Sequence, residues 1–115
     1  MCSLFGLIDF KECLSTHTKN KILNTRAREC QVRGTDATGI AYNFNDRLRI
    51  YKRPLPARKM KIHIPHGVNV VMGHTRMTTQ GNAQFNQNNH PFLGHVDGSS
   101  FALSLAANEI IWYTI

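Results

Sequence analysis

The sequence predicts an α+β domain in which one N-terminal helix is followed by mostly antiparallel strands. Three observations predict it. Only the stretch 18–31 carries helical spacing, with Ile22, Leu23, Ala27 and Cys30 on one side. The run GIAYNF, then Asn45-Asp46, then RLRIYKR reads as two extended segments joined by a short Asn/Asp turn, a β-hairpin. The Val-rich run VNVVMGH at 68–74 reads as a central strand.

In chain order, CSLFGLID at 2–9 alternates loosely around Leu4, Phe5, Leu7 and Ile8 and predicts a buried strand. Ser15 and Thr16 are candidate caps for the helix, and Gly34 in RGTD is its expected stop. The hairpin follows, then a loop marked by Pro54 and Pro56, then the central strand. From Thr75 to Gly94 the composition is polar, rich in Thr, Gln, Asn and Gly. So long a loop in a small domain is usually functional. Residues 101–105 and 109–115 read as two strands or one broken one. The final Ile-Trp-Tyr-Thr-Ile is a strand with no closing element after it, which predicts a second half supplied by more chain or by a partner.

Composition bounds the function classes. A chain of 115 residues suits one domain, and 42% hydrophobic with 18% charged residues is enough for a packed core. No apolar stretch approaches the ~20 residues that span a bilayer, and Asp9, Lys11 and Glu12 cut the N-terminal apolar run too short for a signal peptide. The default is a cytoplasmic protein with no membrane partner. Cys2, Cys13 and Cys30 are odd in number and form no CxxC, so a disulfide framework is not expected, and Cys13 and Cys30 read as buried or neutral thiols. The net charge of +7 is spread widely apart from YKRPLPARKMK at 51–61. That stretch reads as a solvated basic loop or as a contact for phosphates. No stacking platform or nucleic-acid motif accompanies it, so a nucleic-acid partner is not expected. His63, His66, His90 and His95 lack a carboxylate or thiol at metal-site spacing, and no metal or other cofactor is expected.

Three polar clusters stand out: RGTDATG at 33–39, GHTRMTTQGN at 73–82 and NNHPFLG at 88–94. Each alone also reads as structure: a helix stop with an Asx turn, a strand end with a surface Arg, a turn fixed before Pro. With Cys2 they form a set. MCSLFG, RGTDATG, GHTRM with its nearby Thr, and NNHPF resemble, in order and at similar spacing, four elements of the class II glutamine amidotransferases. The glutaminase domain of that family belongs to the N-terminal nucleophile hydrolases. The resemblance covers residues 2 to about 94.

The resemblance implies an αββα sandwich, here partial, with residues 1–115 as the N-terminal part of the domain and the C-terminal part missing or diverged. It implies that Cys2, freed by removal of Met1, is the nucleophile and that its own α-amine is the base. The physical chemistry agrees: ordinary thiols titrate near ~8.5 and α-amines near ~7.7–8.0, a good match for passing one proton. The substrate would be glutamine, with Arg76 on its α-carboxylate, a bidentate pairing that suits a planar guanidinium. Met77, Thr79 and His90 would line the same pocket. Arg33, Asp36 and His74 would brace it from behind. The ammonia released would need an acceptor, either a separate subunit or the absent C-terminal half.

One element departs from the family. Its oxyanion hole lies in a His-Asn-Gly segment, whose nearest counterpart here is Ala107-Asn108-Glu109. Asn108 keeps the amide. Glu109 loses glycine's freedom, a cost of roughly 1–2 kcal/mol if a left-handed backbone is needed. Its charge, at ~5 Å and an effective dielectric of ~20, would oppose a developing oxyanion by about 3 kcal/mol. The alternative expectation is therefore a fragment that binds glutamine or a partner without turnover.

Overall fold

The computed structural model describes residues 2–78, 81–106 and 109–114, the backbone alone at 105–106 and 109–114. The first strand, β1 (Ser3–Ile8), leads to helix α1 (Thr16–Cys30) and a 3₁₀ turn at Gln31–Arg33. Then come β2 (Ala37–Phe44), β3 (Arg47–Arg53), a 3₁₀ turn at Ala57–Lys59, and β4 (Val70–Arg76). A third 3₁₀ turn at Asn86–Asn88 precedes β5 (Phe92–Val96), β6 (Ser99–Ala106) and β7 (Glu109–Thr114). The α+β class read from the sequence is the one observed.

Ser15 caps α1: its Oγ accepts the backbone N–H of Thr18 at 3.1 Å. The helix thus starts at Thr16, two residues before the expected start, and ends at Cys30. Gly34 is not a left-handed stop. Its φ of −174° is extended backbone. A Cβ there would sit 2.6 Å from the Arg76 carbonyl carbon, so glycine serves close packing of this turn on β4.

Antiparallel pairing builds a four-stranded sheet, sheet A, in the order β1-β4-β2-β3, and a three-stranded sheet, sheet B, in the order β5-β6-β7. In the β2–β3 hairpin both Asn45 (φ 52°) and Asp46 (φ 58°) take the left-handed backbone that a two-residue I′ turn demands. The polar stretch 75–94 is less of a loop than expected. β4 runs on through Arg76, and Phe92–Val96 is a strand paired with β6. The two are joined at Asp97-Gly98 with positive φ at both residues, a second hairpin of the same kind.

The strand period of two gives sheet A two different faces. On one, α1 lays Leu23 and Ala27 against Ile40 and Val71, with Phe5, Leu7, Tyr42 and Phe44 at the margin. The segment 57–68 completes this core with Ala57, Met60, Ile62, Ile64 and Val68. Each large side chain buried there contributes roughly 1.5–3 kcal/mol. On the other face Ala41 and Met72 meet Ala102 of sheet B, flanked by Leu48 and Ile50. The layers are therefore helix, sheet, sheet. Lys19, on the buried side of α1, is held by Asp9 at 3.6 Å, the Val68 carbonyl oxygen and Asn69 Oδ1. No helix among the described residues is long and apolar enough to cross a membrane.

Candidate functional site

The site lies where the sheet B face of sheet A turns polar. Along β4, Val71 and Thr75 point toward the helix, and Thr75 Oγ1 donates to the Cys30 carbonyl oxygen at 3.1 Å. Met72, His74 and Arg76 alternate to the opposite side. β1 is in register with β4 up to the pair Ser3–Thr75, which carries Cys2 to the end of the strand beside Arg76. The Cys2 thiol, half-buried, lies 3.7 Å from the Met77 carbonyl oxygen.

Arg76 is 6% exposed. Its Nη1 donates to Asn89 Oδ1 at 2.8 Å. Asn89 is fully buried, and its amide nitrogen donates to the Ala83 carbonyl oxygen at 2.7 Å and to Asn86 Oδ1 at 3.2 Å. One amide thus ties the guanidinium to the loop before β5. Lys52 fastens the same loop from β3, with its Nζ donating to the carbonyl oxygens of Asn89 (2.7 Å) and Pro91 (3.1 Å). Gly39 lets it approach, since a Cβ there would run into the His90 carbonyl oxygen.

Two imidazoles stack beneath this loop. The rings of His74 and His90 lie 4.1 Å apart and nearly parallel, and Phe92 closes on His90 at 4.3 Å. Burial pushes the His90 pKa down to about 3, helped by the neighbouring His74, Arg76 and Lys52. At neutral pH His90 is therefore an uncharged imidazole. Burial also lowers the pKa of Lys52. Asp36 is held in its ionised form chiefly by the Thr78 N–H, which donates to its Oδ2 at 2.7 Å, while the Asp36 N–H donates to the Arg76 carbonyl oxygen at 2.9 Å. Asp36 thereby pins the chain that leaves β4.

Of the residues singled out in the sequence, Cys2, Asp36, His74, Arg76, Met77 and His90 gather at this end of the molecule. Met77 meets the thiol through its backbone, and its side chain is exposed. Arg33 is exposed on the 3₁₀ turn after α1. Thr79 and Asn108 lie outside the described residues, as do the side-chain surroundings of Glu109, the first residue of β7. Cys30 is partly buried and its thiol is pushed up by burial, whereas Cys13 is exposed. Of the two alternatives expected for Cys13, the buried one is not observed: the residue sits in the turn that closes onto Asp9 rather than in the core.

Sequence reasoning missed Lys52, Asn89 and Gly39. Lys52 falls both in the hairpin strand RLRIYKR and in the basic stretch 51–61, and along β3 it continues the inward parity of Leu48 and Ile50. That parity is the signal that was available. Asn89 lay inside the quoted NNHPF motif, but nothing local marks which of two adjacent asparagines turns inward. Compared with protein-family models, curated proteins and solved structures, the chain matches none.

Proposed function

We propose that this chain is the N-terminal part of a class II glutamine amidotransferase domain and that Cys2 hydrolyses the side-chain amide of glutamine. The observation that carries the reading is the position of the Cys2 thiol, at the head of β1, against the Met77 carbonyl oxygen and one strand across from Arg76. In the reaction the Cys2 α-amine, freed by loss of Met1, takes the thiol proton. The thiolate attacks the amide carbon, and the C–N bond breaks as the proton passes to the leaving ammonia. Water then cleaves the γ-glutamyl thioester to glutamate and restores the thiol. The resemblance assigns the α-carboxylate of glutamine to Arg76, whose Nη1 is held by Asn89.

Glu109 favours a second reading, glutamine binding without turnover, because a carboxylate there opposes the oxyanion that attack creates. The test is ammonia and glutamate release by chain whose N-terminal Cys has been verified by mass. Turnover that falls at least about 10³-fold in Cys2→Ala and in the Met1-retaining form supports hydrolysis. Undiminished turnover in Cys2→Ala ends it. Saturable glutamine binding with no turnover leaves the second reading.

A further inference from the structure

A different surface carries an unassigned feature. On the outer side of α1, away from the sheet face that holds His74 and Arg76, a cleft of about 390 Å³ opens between the helix and the segment 58–61. Its lining includes Lys21 and Arg28 from the helix and Arg58, Lys59 and Lys61 from the facing segment; all five cations are exposed, and among the described residues no carboxylate lines the cleft. Among the described residues no ion pair joins any of the five to a carboxylate. Glu29, on the adjoining surface, is bound to Arg26 at 2.8 Å.

The cleft is built, not a chance meeting of side chains. Asn24 grips the backbone of Ile62 at both ends, its Oδ1 accepting from the Ile62 N–H at 2.9 Å and its Nδ2 donating to the Ile62 carbonyl oxygen at 2.8 Å. One turn earlier Asn20 holds Ile64 in the same way, at 2.7 and 3.4 Å. Gln31 Oε1 accepts from the Arg58 N–H at 3.0 Å. Three helix-end and helix-face amides thus fix the second wall of cations against the first. Five like charges around one cleft repel one another. An anion bound between the walls would relieve that repulsion.

We propose that this cleft binds a small polyphosphate-bearing molecule, with Lys21 and Arg28 from the helix and Arg58, Lys59 and Lys61 from the facing segment as its ligands. Two guanidinium groups can each pair bidentately with phosphate oxygens, and the lysines add point charges. The size falls in the range of small-molecule sites, ~300–1,000 Å³. Among the described residues no aromatic ring lines the cleft, so they offer no platform for the base stacking on which single-stranded nucleic acid relies.

The test titrates inorganic tripolyphosphate into the full chain, following heat and backbone amide shifts at 0.1 M salt. The expected result is saturable binding at one site per chain, with shifts centred on Arg28 and Arg58–Lys61. Arg28→Glu with Arg58→Glu should weaken it at least 10-fold. Arg47→Glu with Arg49→Glu, the same charge change on exposed β3 positions outside the cleft, should leave it within about 2-fold. Equal weakening by both pairs would mean that net charge alone attracts the anion and would overturn the site. So would an absence of saturation, or a single-stranded oligonucleotide binding more tightly than tripolyphosphate with dependence on the same two arginines.

Discussion

The two faces of sheet A solve the same burial problem with opposite chemistry. The helix face is filled by Leu23, Ile40, Ile62, Ile64, Val68 and Val71, which need only volume and shape. The sheet B face begins apolar at Ala41, Met72 and Ala102, then at its Arg76 end buries a guanidinium, an asparagine and a stacked imidazole. Apolar contacts are tolerant of partners and polar ones are not, because a buried polar group left unmatched costs more than its bond contributes. The first face explains why the chain folds. The second, less economical for stability, is where chemistry is to be sought.

The largest effects should separate the faces by what rescues them. Leu23→Ala should cost about 3 kcal/mol in urea unfolding, and Leu23→Met under about 1.5, because volume is what matters there. Asn89→Leu keeps the branched shape and should still cost about 3 kcal/mol, since it strips Arg76 and the Ala83 carbonyl of a buried partner. If Asn89→Leu is as mild as Leu23→Met, the distinction between the faces collapses. Gly39→Ala should cost about 1–3 kcal/mol by pushing the loop at His90 off the sheet. Lys52→Met, which removes both cross-links, should speed hydrogen exchange at the Asn89, His90 and Phe92 amides.

Acid should act through the polar face next. His90 takes up a proton near 6.5 when unfolded but only near 3 when folded. Between those values the unfolded chain binds the extra proton, so stability falls as pH drops from about 6.5 toward 3. In His90→Gln the urea midpoint should vary less across that window, and an unchanged slope would remove His90 as its cause. The smallest effect belongs to the clamp outside the helix face. Asn24→Ala should cost about 1 kcal/mol and expose the Ile62 amide to exchange, with tripolyphosphate binding weakened in step.

What could be read before folding was what short stretches encode. Ser15 announces the helix, and the Asn45-Asp46 hairpin is written in its turn residues. The Asp97-Gly98 hairpin carried an equally clear signal, obscured by the polar composition around it. The clusters around Cys2, Asp36, Arg76 and His90 were legible as a set, and they do meet at one end of sheet A.

The amino-acid sequence by itself determined the α+β class, the helix, the hairpin and the clusters around Cys2, Asp36, Arg76 and His90, because caps, turns, periodicity and short motifs act over a few residues. Only the tertiary structure decided the order β1-β4-β2-β3, the inward turn of Lys52 and the bond from Asn89 to Arg76. It likewise assembled the basic cleft from Lys21, Arg28 and a segment some thirty residues further on. Those outcomes depend on which distant surfaces exclude water together, and no local pattern carries that information.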